Sequence, residues 1–179
     1  MRTLLALSFC LILVASCQEQ KQAEPQEVRY TQQSAEIDSY KAGIRAYEKG
    51  DWDGYRATYS DTVKIYRNNP DKAYNTDETV AIFTEQQATF SQYGFNSDDE
   101  EFEMVKTDDG NTWVNYWGLW KATIAANGQE VKVPVHLTAQ FVDGKIVREY
   151  GYWDNAIVQS AMEALAAEAE SGGEEGAEE

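Results

Sequence analysis

Apolar residues recur at helical spacing through the first half of the chain. They predict a first helix that follows Ser34, whose side chain can cap it, and ends at Gly50, which accepts a left-handed backbone. The apolar face of this helix carries Ile37, Tyr40, Ile44 and Tyr47. A short second helix is predicted from Asp51 and holds the aromatic residues Trp52, Tyr55 and Tyr59. A third is predicted from Thr76 to Gly94, with an apolar stripe of Val80, Phe83 and Phe90.

The second half of the chain alternates apolar and polar residues, as β-strands do. One strand is predicted earlier, over residues 62–66, and four more over residues 102–105, 112–124, 131–141 and 146–153. The last four are separated by Asp109-Gly110, Asn127-Gly128 and Asp143-Gly144, and such pairs favour tight hairpins. Asp154 can cap a closing helix that runs through about Glu168. Helices, an antiparallel meander and a closing helix together predict the α+β class.

The two ends of the chain differ in composition from this central domain, residues 34–168. Residues 1–16 combine Arg2 with a short apolar run, which is typical of a secretory signal peptide and too short to span a membrane as a helix. Residues 17–33 are rich in Gln and Glu, and residues 169–179 are rich in Glu. Both segments are therefore predicted to be disordered, the first as a tether and the second as an acidic tail.

A cysteine follows the predicted signal peptide. Val14-Ala15-Ser16-Cys17 resembles the lipobox of bacterial lipoproteins. The resemblance implies cleavage before Cys17 and attachment of fatty acid, such as palmitate, to that residue. The mature protein would then be held on a membrane of the bacterial cell envelope, at the outer membrane or the periplasmic face. The alternative is an ordinary signal peptide that contains a cysteine.

The net charge of the chain and the motifs it contains limit which ligands can be expected. The chain has a formal net charge of −16 at pH 7 and no basic stretch. Because nucleic-acid binding relies on basic residues that replace phosphate counterions, DNA and RNA are not expected partners. The sequence has no His, Cys or carboxylate cluster with metal-ligand spacing and no glycine-rich phosphate loop, so neither a metal nor a cofactor is expected.

Two short motifs flank the predicted sheet. Gly50-Asp51-Trp52-Asp53, followed by residues 59–63, and Phe141-Val142-Asp143-Gly144-Lys145-Ile146, followed by Tyr152-Trp153-Asp154, resemble the opening and the ending of the NTF2-like superfamily, and within it the SnoaL-like group. The resemblance implies a cone, in which a curved antiparallel sheet wraps around the N-terminal helices and leaves a pocket between them. Ketosteroid isomerases, polyketide cyclases and non-catalytic binding domains share this fold, so the fold alone does not choose a function.

The catalytic residues of the isomerase and the cyclase have no match here. The positions of the isomerase tyrosine, general base and pocket aspartate fall on Gly43, Arg67 and Leu137. The acid–base pair of the cyclase falls on Leu137 and Gly151. A shift of one residue would place His136 in the pocket but turn the apolar face of its strand away from the core, so the shift is rejected. An enzyme is therefore less favoured than a binding protein.

Strand alternation predicts a pocket lining that is mostly apolar and aromatic, as ligand pockets usually are. Val147 and Glu149 of the last strand are both placed on the inner face of the sheet. The predicted ligand-pocket residues are Tyr47, Tyr59, Arg67, Trp120, Leu137, Phe141, Glu149 and Trp153. The alternative is that these side chains fill the cone and leave no pocket.

Two charged residues interrupt this lining. A carboxylate at Glu149 would lose hydration among aromatic rings, so its pKa is expected to rise. Glu149 is therefore a candidate acid or base, with Arg67 at the pocket mouth attracting an anionic group of the ligand. The alternative is a plain ion pair between the two residues. Asp154 is a further catalytic candidate, although its capping role explains it without catalysis.

Three functions remain open. The first is the binding of a small, partly hydrophobic molecule, and the second is an isomerase, cyclase or dehydratase that uses Glu149. The third is a protein-interaction module with a filled cone. The outer face of the sheet is expected to show Trp113, Trp117, Tyr150 and Tyr152. An aromatic patch of this kind usually marks an interface and predicts a homodimer.

Overall fold

The computed structural model describes residues 28–175, with side chains through Glu168. The predicted signal peptide, Cys17 and most of the predicted tether lie outside the described residues, as do residues 176–179 of the predicted tail. The helices are α1 (Ala35–Lys49), α2 (Trp52–Arg56), α3 (Thr76–Gln87) and α4 (Ala156–Glu175). The strands are β1 (Tyr30–Thr31), β2 (Tyr59–Arg67), β3 (Ala73–Tyr74), β4 (Phe90–Phe95), β5 (Glu101–Lys106), β6 (Thr112–Ile124), β7 (Glu130–Val142) and β8 (Lys145–Trp153).

One curved sheet contains all eight of these strands. Its order is β1–β5–β6–β7–β8–β2–β3, and β4 pairs with β6. Strand β4 pairs with residues 120–124 of β6 and strand β5 with residues 112–117, so the two lie end to end along one edge of that long strand. All pairs are antiparallel except β2 with β8, which run parallel. The predicted α+β class, with N-terminal helices and a closing helix, is confirmed.

Capping residues explain where the N-terminal helices begin and end. The Ser34 side chain accepts a hydrogen bond from the Ile37 amide at 3.2 Å at the start of α1. At the other end Gly50 has a φ of 66°, a left-handed conformation that glycine adopts without strain. Helix α3 begins with a capping box, in which Asn75 and Glu78 each accept the other's backbone amide at 2.9 Å.

Two sequence-based boundaries near these helices were wrong. Helix α3 ends at Gln87 instead of Gly94, and strand β4 follows it. The aromatic residues there favour a strand that pairs with β6, where the Phe90 ring meets the Trp120 ring edge-on at 5.3 Å. Tyr59 begins strand β2 and is not part of α2. The two-residue strands β1 and β3 were not predicted either.

A β-bulge in the last strand changes which residues face inward. Phe141 pairs with Ile146, whereas Gln140 pairs with Arg148, so Val147 is an extra residue on β8. Ile146 is therefore fully buried in the core, and the predicted inward position of Val147 was wrong. Beyond the bulge the alternation resumes, and Glu149 faces inward as expected.

The closing helix α4 covers one end of the sheet. Its residue Ala161 packs in a second core cluster with Ala122, Ile124 and Val131 of β6 and β7. The helix continues to Glu175, past the predicted end near Glu168. Within the described part of the chain, no helix combines the length and the apolar character needed to cross a membrane.

Candidate ligand-binding site

A cavity of about 670 Å³ opens between the helices and the inner face of the sheet. Every helix contributes to its wall, together with the strands β2, β3, β4, β6, β7 and β8. The volume lies within the range of roughly 300–1,000 Å³ that is usual for small-molecule sites. The cone is therefore open rather than filled.

Most of the residues predicted for the pocket line this cavity. They are Tyr47, Tyr59, Arg67, Trp120, Leu137, Glu149 and Trp153. Phe141 does not, and its placement in the pocket was wrong: it is buried in the core, where the Tyr40 ring covers it at 6.2 Å. The catalytic candidate Asp154 is exposed and lies outside the lining. Its carboxylate accepts the Ala156 amide at 2.8 Å at the start of α4, which is the capping role expected of it.

Glu149 forms the polar centre of the cavity. It is only 6 % exposed, and two phenols donate hydrogen bonds to its Oε2 atom, Tyr40 at 2.8 Å and Tyr59 at 3.0 Å. The Tyr55 hydroxyl lies 2.8 Å from that of Tyr59 and extends the network. Because both phenols approach Oε2, the second carboxyl oxygen, Oε1, accepts from neither of them and can meet a ligand.

Burial sets the proton affinity of this group. Loss of hydration raises the pKa of the Glu149 carboxyl, and the hydrogen bonds from Tyr40 and Tyr59 and the positive charge of Arg67 lower it by less. Burial and the nearby carboxyl likewise raise the pKa of the Tyr40 and Tyr59 phenols. The two phenols therefore remain neutral hydrogen-bond donors at physiological pH.

Arg67 is held by aromatic rings instead of by a carboxylate. Its guanidinium lies over the Phe83 ring at 4.4 Å and over the Trp153 ring at 5.4 Å. Within the described residues no carboxylate forms an ion pair with it within 4.0 Å, and its buried Nη1 atom has no hydrogen-bond partner. The alternative of a plain ion pair between Arg67 and Glu149 is therefore wrong.

The register of the parallel strands explains this separation. Glu149 pairs with Ile65, whereas Arg67 pairs with Gly151, two residues further along both strands. Gly151 leaves room for the indole of Trp153, since a Cβ atom at that position would lie 2.5 Å from the Trp153 ring. The indole and the Phe83 ring lie against the guanidinium and hold Arg67 away from Glu149.

Comparison with known families supports the resemblance seen in the motifs. A sequence profile of the SnoaL-like domain matches residues 40–149. The chain belongs to the SnoaL-like domain family. The matched segment begins at Tyr40 within α1, ends at Glu149 within β8, and contains most of the sheet.

Solved structures share the fold of this SnoaL-like domain at low sequence identity. IdmH from Streptomyces antibioticus, provisionally assigned as a polyketide cyclase, is 15 % identical, with a TM-score of 0.57 over 71 % of this chain and 97 % of its own. PrhC from Penicillium brasilianum is 16 % identical, with a TM-score of 0.60 over 78 % and 93 %. An NTF2-like protein of unknown function from Burkholderia pseudomallei is 16 % identical, with a TM-score of 0.56 over 69 % and 94 %. A search of curated proteins gave no match. These likenesses confirm the NTF2-like fold and say nothing finer about function.

Several lining residues of the SnoaL-like domain were missed by sequence reasoning. Tyr40 shares the apolar face of α1 with Tyr47, so it could have been placed in the pocket from helical spacing. Thr79 and Phe83 lie one turn apart on α3, and both line the cavity. Tyr55 was assigned to a helix correctly, but nothing in the sequence indicated that its hydroxyl would reach Tyr59.

The outer face of the sheet carries the expected aromatic patch. The Trp117 ring stacks on His136 at 4.8 Å, and His136 on Tyr152 at 6.2 Å. Trp113 and Tyr150 stack at 6.4 Å beside them. Trp117 is 40 % exposed and Tyr152 is 52 % exposed. His136 thus lies outside the cavity, as the rejection of the register shift requires.

The described residues of the domain contain no group of three or more His, Cys, Asp or Glu side chains placed to hold a metal ion.

Proposed function

We propose that the protein binds a small, partly hydrophobic molecule in its cone. The observation that carries this proposal is the cavity of about 670 Å³, whose wall is mostly aromatic and aliphatic with a few convergent polar groups. Such a wall removes apolar surface of a ligand from water, while the polar groups fix its orientation. Relatives in the same family include polyketide cyclases and isomerases, which also act on small molecules.

Catalysis is the second candidate function, and the state of Glu149 favours it. A carboxyl whose pKa is raised by burial is a better general base near neutral pH than an exposed one. The Oε1 atom would take the proton from the ligand, and Tyr40 and Tyr59 would continue to donate to Oε2. This is the chemistry that an isomerase, a cyclase or a dehydratase needs, although the positions used by the isomerase and cyclase relatives hold other residues here.

The proposed location is the bacterial cell envelope, with the mature chain held on a membrane by fatty acid on Cys17. The support is the lipobox-like sequence that ends at Cys17. We place the domain at the outer membrane or the periplasmic face, as a homodimer that pairs through the outer aromatic patch.

Native mass spectrometry of the protein purified from bacterial cells tests the binding function. Val135 lines the cavity, so Val135→Trp places a large ring where the ligand would lie. Lys132 is exposed on the same strand, and Lys132→Trp adds the same ring outside the cavity. We expect a copurified small molecule in the wild type and in Lys132→Trp, and its loss in a folded Val135→Trp protein. A molecule retained by Val135→Trp would contradict binding in the cone.

Turnover separates the two candidate functions. If Glu149 is the general base, Glu149→Gln lowers the rate on the identified molecule by roughly 10²–10⁴-fold, the usual contribution of such a group. If the protein only binds, neither the wild type nor the variant converts the molecule, and the affinity changes modestly.

A further inference from the structure

The guanidinium of Arg67 has hydrogen-bonding capacity that the protein leaves unused. The two rings that hold it supply cation–π attraction, which is nondirectional and satisfies none of its N–H groups. Its Nη1 atom is buried and has no hydrogen-bond partner within the described residues. A buried donor of this kind costs free energy unless a partner accepts from it.

An oxyanion fits this position better than a neutral group does. The fork of N–H donors in a guanidinium matches the geometry of carboxylate, phosphate and sulfonate oxygens, which can accept two parallel hydrogen bonds. Of the described residues that line the cavity, Arg67 is the one basic side chain and Glu149 the one acidic side chain. In a chain with a net charge of −16, a local cation in the cavity favours the binding of an anion there.

The strand register fixes how far apart the two charged groups lie. Glu149 pairs with Ile65, and Arg67 is two residues further along β2, which corresponds to roughly 7 Å along the strand. Thr79 of α3 lines the cavity one helical turn before the Phe83 ring that contacts Arg67. The cavity thus offers an anion-binding group at Arg67 and a carboxyl at Glu149, separated along β2 and β8 and joined by an aromatic wall.

From this arrangement we infer that the ligand is an amphipathic organic acid, whose acidic group binds Arg67 while a hydroxyl or carbonyl group faces Glu149. This inference rests on the proposed binding function and narrows it to a chemical class. The apolar body of the ligand lies against the rings between the two charged groups.

A matched pair of fluorescent probes tests the inference. Anilinonaphthalene sulfonate and phenylnaphthylamine have the same aromatic rings, and only the first carries an acidic group. Their affinities are measured by fluorescence titration of the purified protein, of Arg67→Met and of Arg148→Met. Arg148 is an exposed arginine on β8 and serves as the charge-matched control. Val135→Trp reports whether each probe binds inside the cavity or on the outer patch.

We expect the wild type to bind the sulfonate more tightly than the neutral probe. Arg67→Met should weaken sulfonate binding by at least about tenfold, the contribution of a hydrogen bond to a charged group, and change phenylnaphthylamine binding by less than about twofold. Arg148→Met should leave both affinities unchanged. A wild type that binds the two probes equally well would contradict the inference even if Arg67→Met does not fold.

Different results would contradict the acidic-ligand inference and the binding function itself. Equal loss of both probes in Arg67→Met, or equal affinity of the wild type for the two probes, would show that Arg67 is only part of the apolar wall and would overturn the acidic-ligand inference. The cavity would then remain a binding site for neutral molecules. If neither probe responds to Val135→Trp, the proposed binding function itself fails, and the inference fails with it.

Discussion

Replacing Glu149 by glutamine should change how the stability of the protein depends on pH. The residue is 6 % exposed, and its carboxyl accepts hydrogen bonds from Tyr40 and Tyr59 at 2.8 and 3.0 Å. Glutamine has the same shape and an oxygen that can accept both bonds, but it carries no charge at any pH. The comparison of the two proteins therefore isolates the free energy of ionising a buried carboxyl.

The direction of the effect follows from the raised pKa of Glu149. Between its ordinary value of 4.5 and its higher value in the folded protein, the folded state binds more protons than the unfolded state. The contribution of Glu149 to stability is therefore fully present below about pH 4.5 and is lost as the pH rises through the folded-state pKa. Each unit of pKa elevation corresponds to about 1.4 kcal/mol.

Urea unfolding of the wild type and of Glu149→Gln, between about pH 4 and pH 9, measures this contribution. The difference between the two free energies of unfolding should shift in favour of Glu149→Gln by up to about 1.4 kcal/mol per pH unit and then reach a plateau. The height of the plateau gives the pKa elevation. Glu101→Gln, which alters an exposed carboxylate of β5, serves as the control and should show no such plateau.

Two results would contradict a pKa of Glu149 that is raised by burial. A difference that stays constant with pH would mean that the environment of Glu149 leaves its pKa unchanged. A shift in the opposite direction, with the wild type gaining stability as the pH rises, would mean that the hydrogen bonds from Tyr40 and Tyr59 stabilise the carboxylate by more than burial destabilises it.

Three further predictions concern the anchor, the outer patch and the cavity mouth. Cys17→Ser should abolish fatty-acid labelling and partition into the detergent phase; retention of both would contradict the anchor. The purified domain should run as a dimer in light scattering, and Trp117→Glu should convert it to a monomer, whereas a monomeric wild type would count against pairing through this face. Gly151→Ala should displace the Trp153 ring and destabilise the fold by about 1–3 kcal/mol in urea unfolding, since its Cβ would lie 2.5 Å from that ring.

Turn and capping residues, together with the alternation of apolar and polar residues along the strands, were enough to predict much of the fold. Asp143-Gly144 illustrates why: both residues have positive φ angles, of 50° and 74°, as a tight hairpin between β7 and β8 requires. That hairpin and the apolar face of β7 together fix which residues of the strand face inward. Leu137 is therefore placed in the pocket, and His136 is placed on the outer face. Helix α1 was equally predictable, because Ser34 and Gly50 mark its two ends.

Contacts between residues far apart in the sequence decided the features that the sequence did not predict. Residues 90–95 contain aromatic residues that suit a helix stripe or a strand, and pairing with the free edge of β6 selects the strand. The bulge at Val147 has no glycine or proline to mark it, and it moves Ile146 into the core. Phe141 faces inward as predicted, but the Tyr40 ring lies between it and the cavity. Neither the sequence of β7 nor that of α1 alone could indicate this contact.

The separation of Arg67 from Glu149 has a thermodynamic consequence for binding. The charge of Arg67 lowers the pKa of Glu149, so an anion bound to Arg67 would offset that effect and raise the pKa further. Strand spacing places the Cα atoms of the two residues roughly 8 Å apart, and unit charges at such a separation interact by about 2 kcal/mol at an effective dielectric constant of about 20. Linkage then requires that binding of an anion takes up protons.

Sulfonate affinity should therefore fall as the pH rises through the pKa of Glu149, while the affinity of the neutral probe should not follow this dependence. Glu149→Gln should abolish the fall, because no proton remains to be taken up. A fall that persists in Glu149→Gln would assign it to another group and would show that the two ends of the cavity act independently.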